Sequence, residues 1–210
     1  MAVVTSLNLH HVSRPASGAG RAPAAVLVHG WLGDENVMSI FDSAVPSSAA
    51  LFRPRAPVAV NSGFGWYRDL ADGDSFQAGL AALREFVRRL PDASPVDPGR
   101  VVLIGFSQGA AMCAALMLDT PELARGVALL AGFLPEPARP WAVPGRLAGK
   151  RALIAHGLKD ETVPVAEARL ARGALAAAGA DVVYVEHELG HKMNPAALRA
   201  LRGWVPEVLA

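Results

Sequence analysis

The residues with the clearest chemical potential are Gly105-Phe106-Ser107-Gln108-Gly109, a G-x-S-x-G sequence between a β-branched apolar run and an alanine-rich one. Flanking glycines let neighbouring segments close in, so a serine at a tight strand-to-helix turn projects its hydroxyl above the sheet edge. The helix that follows points its positive end at the same spot. That placement suits a nucleophile and the oxyanion formed during acyl transfer. The bare pattern also fits a structural turn carrying an exposed serine.

A serine hydroxyl needs a positioned base to take its proton, and the chain holds six histidines. His10 and His11 fall in an irregular N-terminal stretch and read as surface residues. His29 and His156 each end a strand ahead of a glycine and read as loop braces. His187 sits at the end of the last strand, whereas His191 lies in a loop before the Asn194-Pro195 helix start, from which it can swing back over the sheet edge. That placement favours His191 over His187.

The base in turn needs a carboxylate to fix its tautomer and stabilise its charge. Asp160, in the segment HGLKDETVP, follows a strand onto the same sheet edge, with Glu161 as its immediate rival and a turn or capping role as its plainer reading. The chain order Ser107, Asp160, His191 is the order found where a nucleophile sits on such a strand–turn–helix elbow. Two N–H donors complete the set: Gln108, directly after the serine, and one from the loop His29-Gly30-Trp31-Leu32-Gly33, with Trp31 first. As both donors are main-chain groups, their side chains are expected to matter little.

These residues must be held by a scaffold, and the hydrophobic pattern supplies one. Apolar β-rich runs at 24–29, 57–60, 101–106, 126–131, 151–156 and 181–186 alternate with helical stretches, the mark of a mostly parallel sheet covered by helices on both faces. Runs such as VVLI and VALL lack period-two alternation, as strands buried on both faces do. A helix is predicted over 75–90, where Phe76, Leu80, Leu83, Val87 and Leu90 form one stripe, with Asp74 as N-cap and Gln77 as its reciprocal partner. Further helices are predicted after Ser107, from Pro164 as an amphipathic surface helix, and from Pro195 with Asn194 as cap. The proline-rich stretch 135–145 reads as a loop and residues 1–22 as irregular.

A length of 210 residues suits one domain, and 52% apolar with 19% charged residues disfavours disorder. Twenty Lys and Arg against 19 Asp and Glu give a net charge of +1, with no basic block to track a phosphate backbone, so nucleic acid is not an expected partner. The single cysteine, Cys113, excludes an internal disulfide and a multi-thiolate metal site. Neither a metal nor a cofactor is expected. The uncharged run 101–118 has the length of a membrane span but carries Gly105, Ser107, Gln108 and Gly109 at its middle, which suits a strand turning into a helix. No secretory signal is evident in the first twenty residues, and a cytoplasmic setting without membrane insertion is expected.

Together the segments HGWLGDEN, GFSQG, HGLKDETVP and Gly190-His191 resemble the carboxylesterase, phospholipase and acyl-protein thioesterase group of α/β-hydrolases, especially its short bacterial esterases. The resemblance runs over about residues 23 to 205. It implies an α/β-hydrolase fold with little or no lid and an ester or thioester as substrate. It also implies Ser107 as nucleophile, Asp160 and His191 as its partners, Trp31 and Gln108 as oxyanion donors, and a monomer or homodimer. Leu32 stands where many relatives have glycine, and Trp31 where they have a small residue or leucine, so the two could narrow or roof the pocket. The segment 61–67 looks like the family's substrate-side loop, which makes Phe64 and Trp66, with Phe133 and Leu134, candidate pocket walls. Dienelactone-type hydrolysis, peptidase activity and a non-catalytic ligand-binding role are the alternatives on the same fold.

Overall fold

The computed structural model describes residues 7–210. In chain order the strands and helices are β1 (His11–Arg14), β2 (Ala22–Val28), β3 (Ala50–Pro54), β4 (Val58–Val60), β5 (Gly63–Gly65), α1 (Gly73–Ala93), β6 (Val96–Phe106), α2 (Gln108–Asp119), β7 (Gly126–Leu130), β8 (Arg151–Gly157), α3 (Val165–Ala177), β9 (Asp181–His187) and α4 (Pro195–Leu209). A 3₁₀ segment, Val37–Ala44, joins β2 to β3. The main sheet has seven strands in the order β1-β3-β2-β6-β7-β8-β9, all parallel except the β1–β3 pair at one edge.

Parallel strands need crossovers, and the crossovers cover both faces. One face packs α1, α2 and α3 through residues such as Phe76, Leu80, Met112, Ala168 and Leu175. On the other lie the 3₁₀ segment and α4 through Met38, Phe41, Leu201, Trp204 and Val205. The strands between, Val26 and Leu103 toward one layer and Leu27 and Ile104 toward the other, are apolar at successive positions because both sides are buried. The run 101–118 is indeed a buried strand followed by a buried helix, with all of Ala110–Leu118 inside. Among the described residues, no helix is long and apolar enough to cross a membrane.

Four expectations change. The strand read at 57–60 is only β4, which pairs with β5 in a separate hairpin, whereas the sheet takes the unforeseen ALFRP of β3. Residues 11–14, read as irregular, form the edge strand β1; residues 1–6 lie outside the described residues. His11 is accordingly no free surface group, since its ring lies 5.4 Å from Phe86 and its Nδ1 donates to the Leu9 carbonyl at 3.0 Å. Helix α1 is capped by Asp72, whose carboxylate accepts from Ser75 N–H at 3.1 Å, and not by Asp74, which lies in the first turn. By contrast Asn194 caps α4 as expected, accepting from Ala197 N–H at 2.8 Å.

The parallel strands β2, β6, β7, β8 and β9 all deliver their C-terminal ends to one edge. At the opposite edge, around the start of β2, Ser17, Gly18 and Arg21 line a cavity of about 450 Å³ together with Pro206, Leu209 and the C-terminal Ala210.

Candidate active site

Ser107 follows the last residue of β6 and precedes the first of α2, and its backbone is held at φ 54° and ψ −119°. A non-glycine residue pays for such angles with strain, which is retained when the surroundings over-determine it. Here they do. A Cβ on Gly105 would collide with the backbone of Gly109 and Ala110, and one on Gly109 with the carbonyls of Val28 and His29. The two glycines let strand, turn and helix press together, which is the physical content of the G-x-S-x-G spacing.

After β8, which β7 separates from β6, the HGLKDETVP segment turns so that Asp160 is buried. One carboxylate oxygen, Oδ1, accepts from the backbone N–H groups of Thr162 at 3.0 Å and Val163 at 2.8 Å, the turn role expected of an aspartate there. The other, Oδ2, lies 2.7 Å from Nδ1 of His191. Asp160 thus joins the turn to the His191 ring, while Glu161 is exposed to solvent. His191 comes close because a Cβ on Gly157 would strike the carbonyls of Leu189 and Gly190, so the glycine lets this loop settle against the end of β8.

The choice among histidines follows from burial. The His191 side chain is 22% exposed and lines the same cavity as Ser107. His187 is buried, and burial together with the nearby His156 ring lowers its affinity for a proton. His29 is a brace: Nδ1 donates to the Gly30 carbonyl at 2.7 Å while Nε2 accepts from Ala56 N–H at 3.0 Å, and burial holds it neutral. Among the described residues no hydrogen bond joins Ser107 Oγ to His191. Catalytic contacts of this kind tighten when substrate enters.

The shared cavity measures about 470 Å³, in the range of small-ligand sites, and its wall is mostly apolar. Gly30, Trp31 and Leu32 form one side, Phe106 and His191 another, and Val37, Met38, Ile40 and Phe41 of the 3₁₀ segment the floor and rim. Phe106 supports the histidine, with its ring centroid 5.0 Å from that of His191. The 3₁₀ residues and Phe106 escaped the sequence reading. Their signal was a period of three, Met38, Phe41 and Ala44 all being buried, which is the repeat of a 3₁₀ turn.

The loop after β2 carries Trp31 to the side of Ser107. Among the described residues, the N–H groups of Trp31 and Gln108 have no protein acceptor, so both are available to a ligand oxygen. Gly30 brings this loop against the serine, since a Cβ there would lie 3.1 Å from that of Ser107. The Gln108 side chain turns out to matter: its carbonyl accepts from Trp66 N–H at 2.9 Å and its amide donates to the Tyr67 carbonyl at 2.9 Å, tying the 61–67 segment to the start of α2. Leu32 sits at φ 63°, a left-handed position that costs a residue with a side chain about 1–2 kcal/mol. Trp31 is 42% exposed and lies over Gly65, forming the rim between the cavity and an adjoining hollow at Ala59–Asn61.

Four of the expected pocket walls are elsewhere. Trp66 is wholly buried, its indole N–H donating to the His29 carbonyl at 2.9 Å. Leu134 is likewise part of the core. Phe64 backs the oxyanion loop, its N–H bonded to the Gly33 carbonyl at 2.9 Å and its ring 4.5 Å beneath the Arg55 guanidinium. Phe133 lines a separate cavity of about 290 Å³ with Leu70 and Arg139, which meets the first only at Thr162. Trp66 and Leu134 were drawn to the core rather than to the cleft, the commoner fate of such residues. Among the described residues, no group of three or more His, Cys, Asp or Glu is placed to hold a metal ion.

Comparison with known proteins follows this geometry. The profile of a family described as Phospholipase/Carboxylesterase matches residues 18–208. The Bacillus cereus carboxylesterase has a similar structure, with a TM-score of 0.86 and 25% identity over 96% of this chain and 95% of that one. A carboxylesterase from Mesorhizobium loti gives a TM-score of 0.77 and 26% identity over 88% of each chain. A probable inactive carboxylesterase of Oryza sativa subsp. japonica is 27% identical over 92% of this chain and 87% of its own length. The architecture is that of the α/β-hydrolases.

Proposed function

The chain belongs to the phospholipase/carboxylesterase family of hydrolases, and from that premise we propose that it is a serine esterase acting on carboxylic esters through an acyl-enzyme. Ser107 Oγ attacks the ester carbonyl while His191 Nε2 takes its proton. Asp160 keeps the His191 proton on Nδ1, so that Nε2 faces the serine as a base, and steadies the imidazolium once formed. The N–H groups of Gln108 and Trp31 receive the oxyanion, aided by the N-terminal end of α2. His191 then returns the proton to the departing alcohol, and the same residue activates the water that releases the acid. Thioesters are a second substrate class for the same steps.

The observation that carries this reading is the 2.7 Å contact between Asp160 Oδ2 and His191 Nδ1 beside an apolar cavity that His191 shares with Ser107. The test is a panel of nitrophenyl esters of graded chain length, with an acyl-CoA, on wild type and Ser107→Ala. Loss of nearly all turnover in the variant is expected, and retention of most activity overturns the assignment. The inactive relative makes a binding-only role the competing reading. An organophosphonate separates the two, since it modifies Ser107 alone if the serine is activated and leaves the folded protein unlabelled if it is not.

A further inference from the structure

The carboxylate of Asp160 has one more N–H group close by than the mechanism calls for. Besides the two backbone N–H groups on Oδ1 and His191 on Oδ2, the ring of His156 approaches from inside β8, its Nε2 3.3 Å from Oδ2 and 2.8 Å from the Val163 carbonyl. A carbonyl can only accept, so the proton of His156 resides on Nε2 and is donated to Val163, with Oδ2 beside it. Among the described residues, Nδ1 of this buried ring has no partner, which suits a bare lone pair and not a second N–H. A carboxylate offers about four acceptor positions, and hydrogen bonds fill three of them.

We propose that His156 is a positioning residue: its Nε2–H, close beside the Asp160 oxygen that His191 uses, draws charge from that oxygen, and so sets how strongly Asp160 holds the protonated form of His191. The inference uses the proposed function only for its effect on turnover; the coupling between the two rings stands on the contacts themselves. Other groups face this cluster from each packed element. His187, at the end of β9, is neutral and buried. Lys159 and Glu188 pair with each other at 3.5 Å, both well exposed, and the Phe106 ring covers His191 from the end of β6. Glu161 and Lys192 are solvent-exposed neighbours in the chain.

Without the His156 donor, Oδ2 keeps more of its charge for His191, and the imidazolium is favoured. In His156→Phe the His191 ring is expected to titrate at higher pH by about half a unit, as befits loss of one N–H dipole 3.3 Å from a charged group. The experiment is an NMR titration of protein labelled at histidine, the His191 signals identified by their absence in His191→Gln, alongside the pH profile of kcat/KM. His156→Gln, whose amide reaches the place of Nε2, is expected to restore the wild-type midpoint. Should the Phe variant fail to fold, His156→Asn, whose shorter amide stops at the place of Nδ1, substitutes for it.

An unmoved His191 midpoint in a folded variant lacking the donor overturns the proposal, as does the same shift in Phe and Gln variants. A role confined to bracing the Val163 turn lowers the melting temperature without moving that midpoint, and this too overturns it. If the NMR midpoint moves while the acid limb of kcat/KM stays, the positioning role is upheld and the assignment of His191 as the base fails.

Discussion

Replacing Asp160 by Asn keeps the shape of the carboxylate and reverses one of its edges. Oδ1 of the asparagine can still accept from Thr162 and Val163, whose N–H groups lie 3.0 and 2.8 Å from that oxygen, so the turn is expected to persist. The amide NH₂ then occupies the place of Oδ2, 2.7 Å from His191 Nδ1, and can only donate. Nδ1 must become the acceptor, the ring proton moves to Nε2, and the nitrogen facing Ser107 can no longer act as base. Such a tautomer reversal costs about 10⁴-fold in kcat, or about 5 kcal/mol of transition-state stabilisation. The assay is initial-rate hydrolysis of a short nitrophenyl ester, with circular dichroism and urea melts to show that the variant is folded. A folded Asp160→Asn protein within about tenfold of wild-type kcat refutes the reasoning, because the loss asked of the tautomer is about a thousand times larger.

Other perturbations follow from the same geometry. Gly157→Ala drives a methyl group into the Leu189 and Gly190 carbonyls and pushes the His191 loop outward, so kcat is expected to fall by about 10²-fold while the protein remains folded, as single-turnover rates and a thermal melt would show. Ile40→Ser, at a residue 69% exposed on the cavity rim, should change stability by less than about 0.5 kcal/mol yet raise KM for longer acyl esters more than for acetate; equal effects on all chain lengths would remove the rim from the substrate path. Stability is expected to decline in two steps on acidification. His29 and His187 bind protons less readily when folded, so the unfolded chain takes up more protons as pH falls below about 6.5, and the urea midpoint drops there first. Glu35, whose carboxyl is held at about 2 by its hydrogen bonds to Arg55, contributes stability that is full above 4.5 and lost as pH falls toward 2; Glu35→Gln should shrink this second step and leave the first, the remainder coming from Glu186, which Arg169 likewise holds low.

What was legible in the sequence was whatever local chemistry dictates. Gly105, which packs on Gly109 and Ala110, and the caps at Asn194 and Asp160 are fixed by contacts within a few residues, while the runs of β6, β7 and β8 declare their burial by being apolar at successive positions. The missed elements are decided by partners far away in the chain. Strand β3 is short, contains Arg53 and ends in a proline, yet it lies beside β2, where Leu51 and Phe52 are buried. Edge strand β1 is polar and is fastened by Arg14, which donates to the Val45 and Pro46 carbonyls at 3.0 and 3.1 Å. The cap of α1 fell to Asp72 over Asp74, a choice between two aspartates two residues apart that only the entry angle of the chain makes. The pocket was read from aromatic residues, whereas Trp66 serves the core and the wall was built by a 3₁₀ segment with no chemical signature of its own.

The hollow shared by Ser17, Arg21 and the final residue, Ala210, is at the foot of the sheet, and the cleft opens from its crown. A tether fixed to Ala210 therefore leaves the molecule on its far side. Coupled through that point to a bead or an electrode, the protein would stand with its mouth toward the bulk liquid, and a bulky fusion there would shade none of the route by which a molecule arrives.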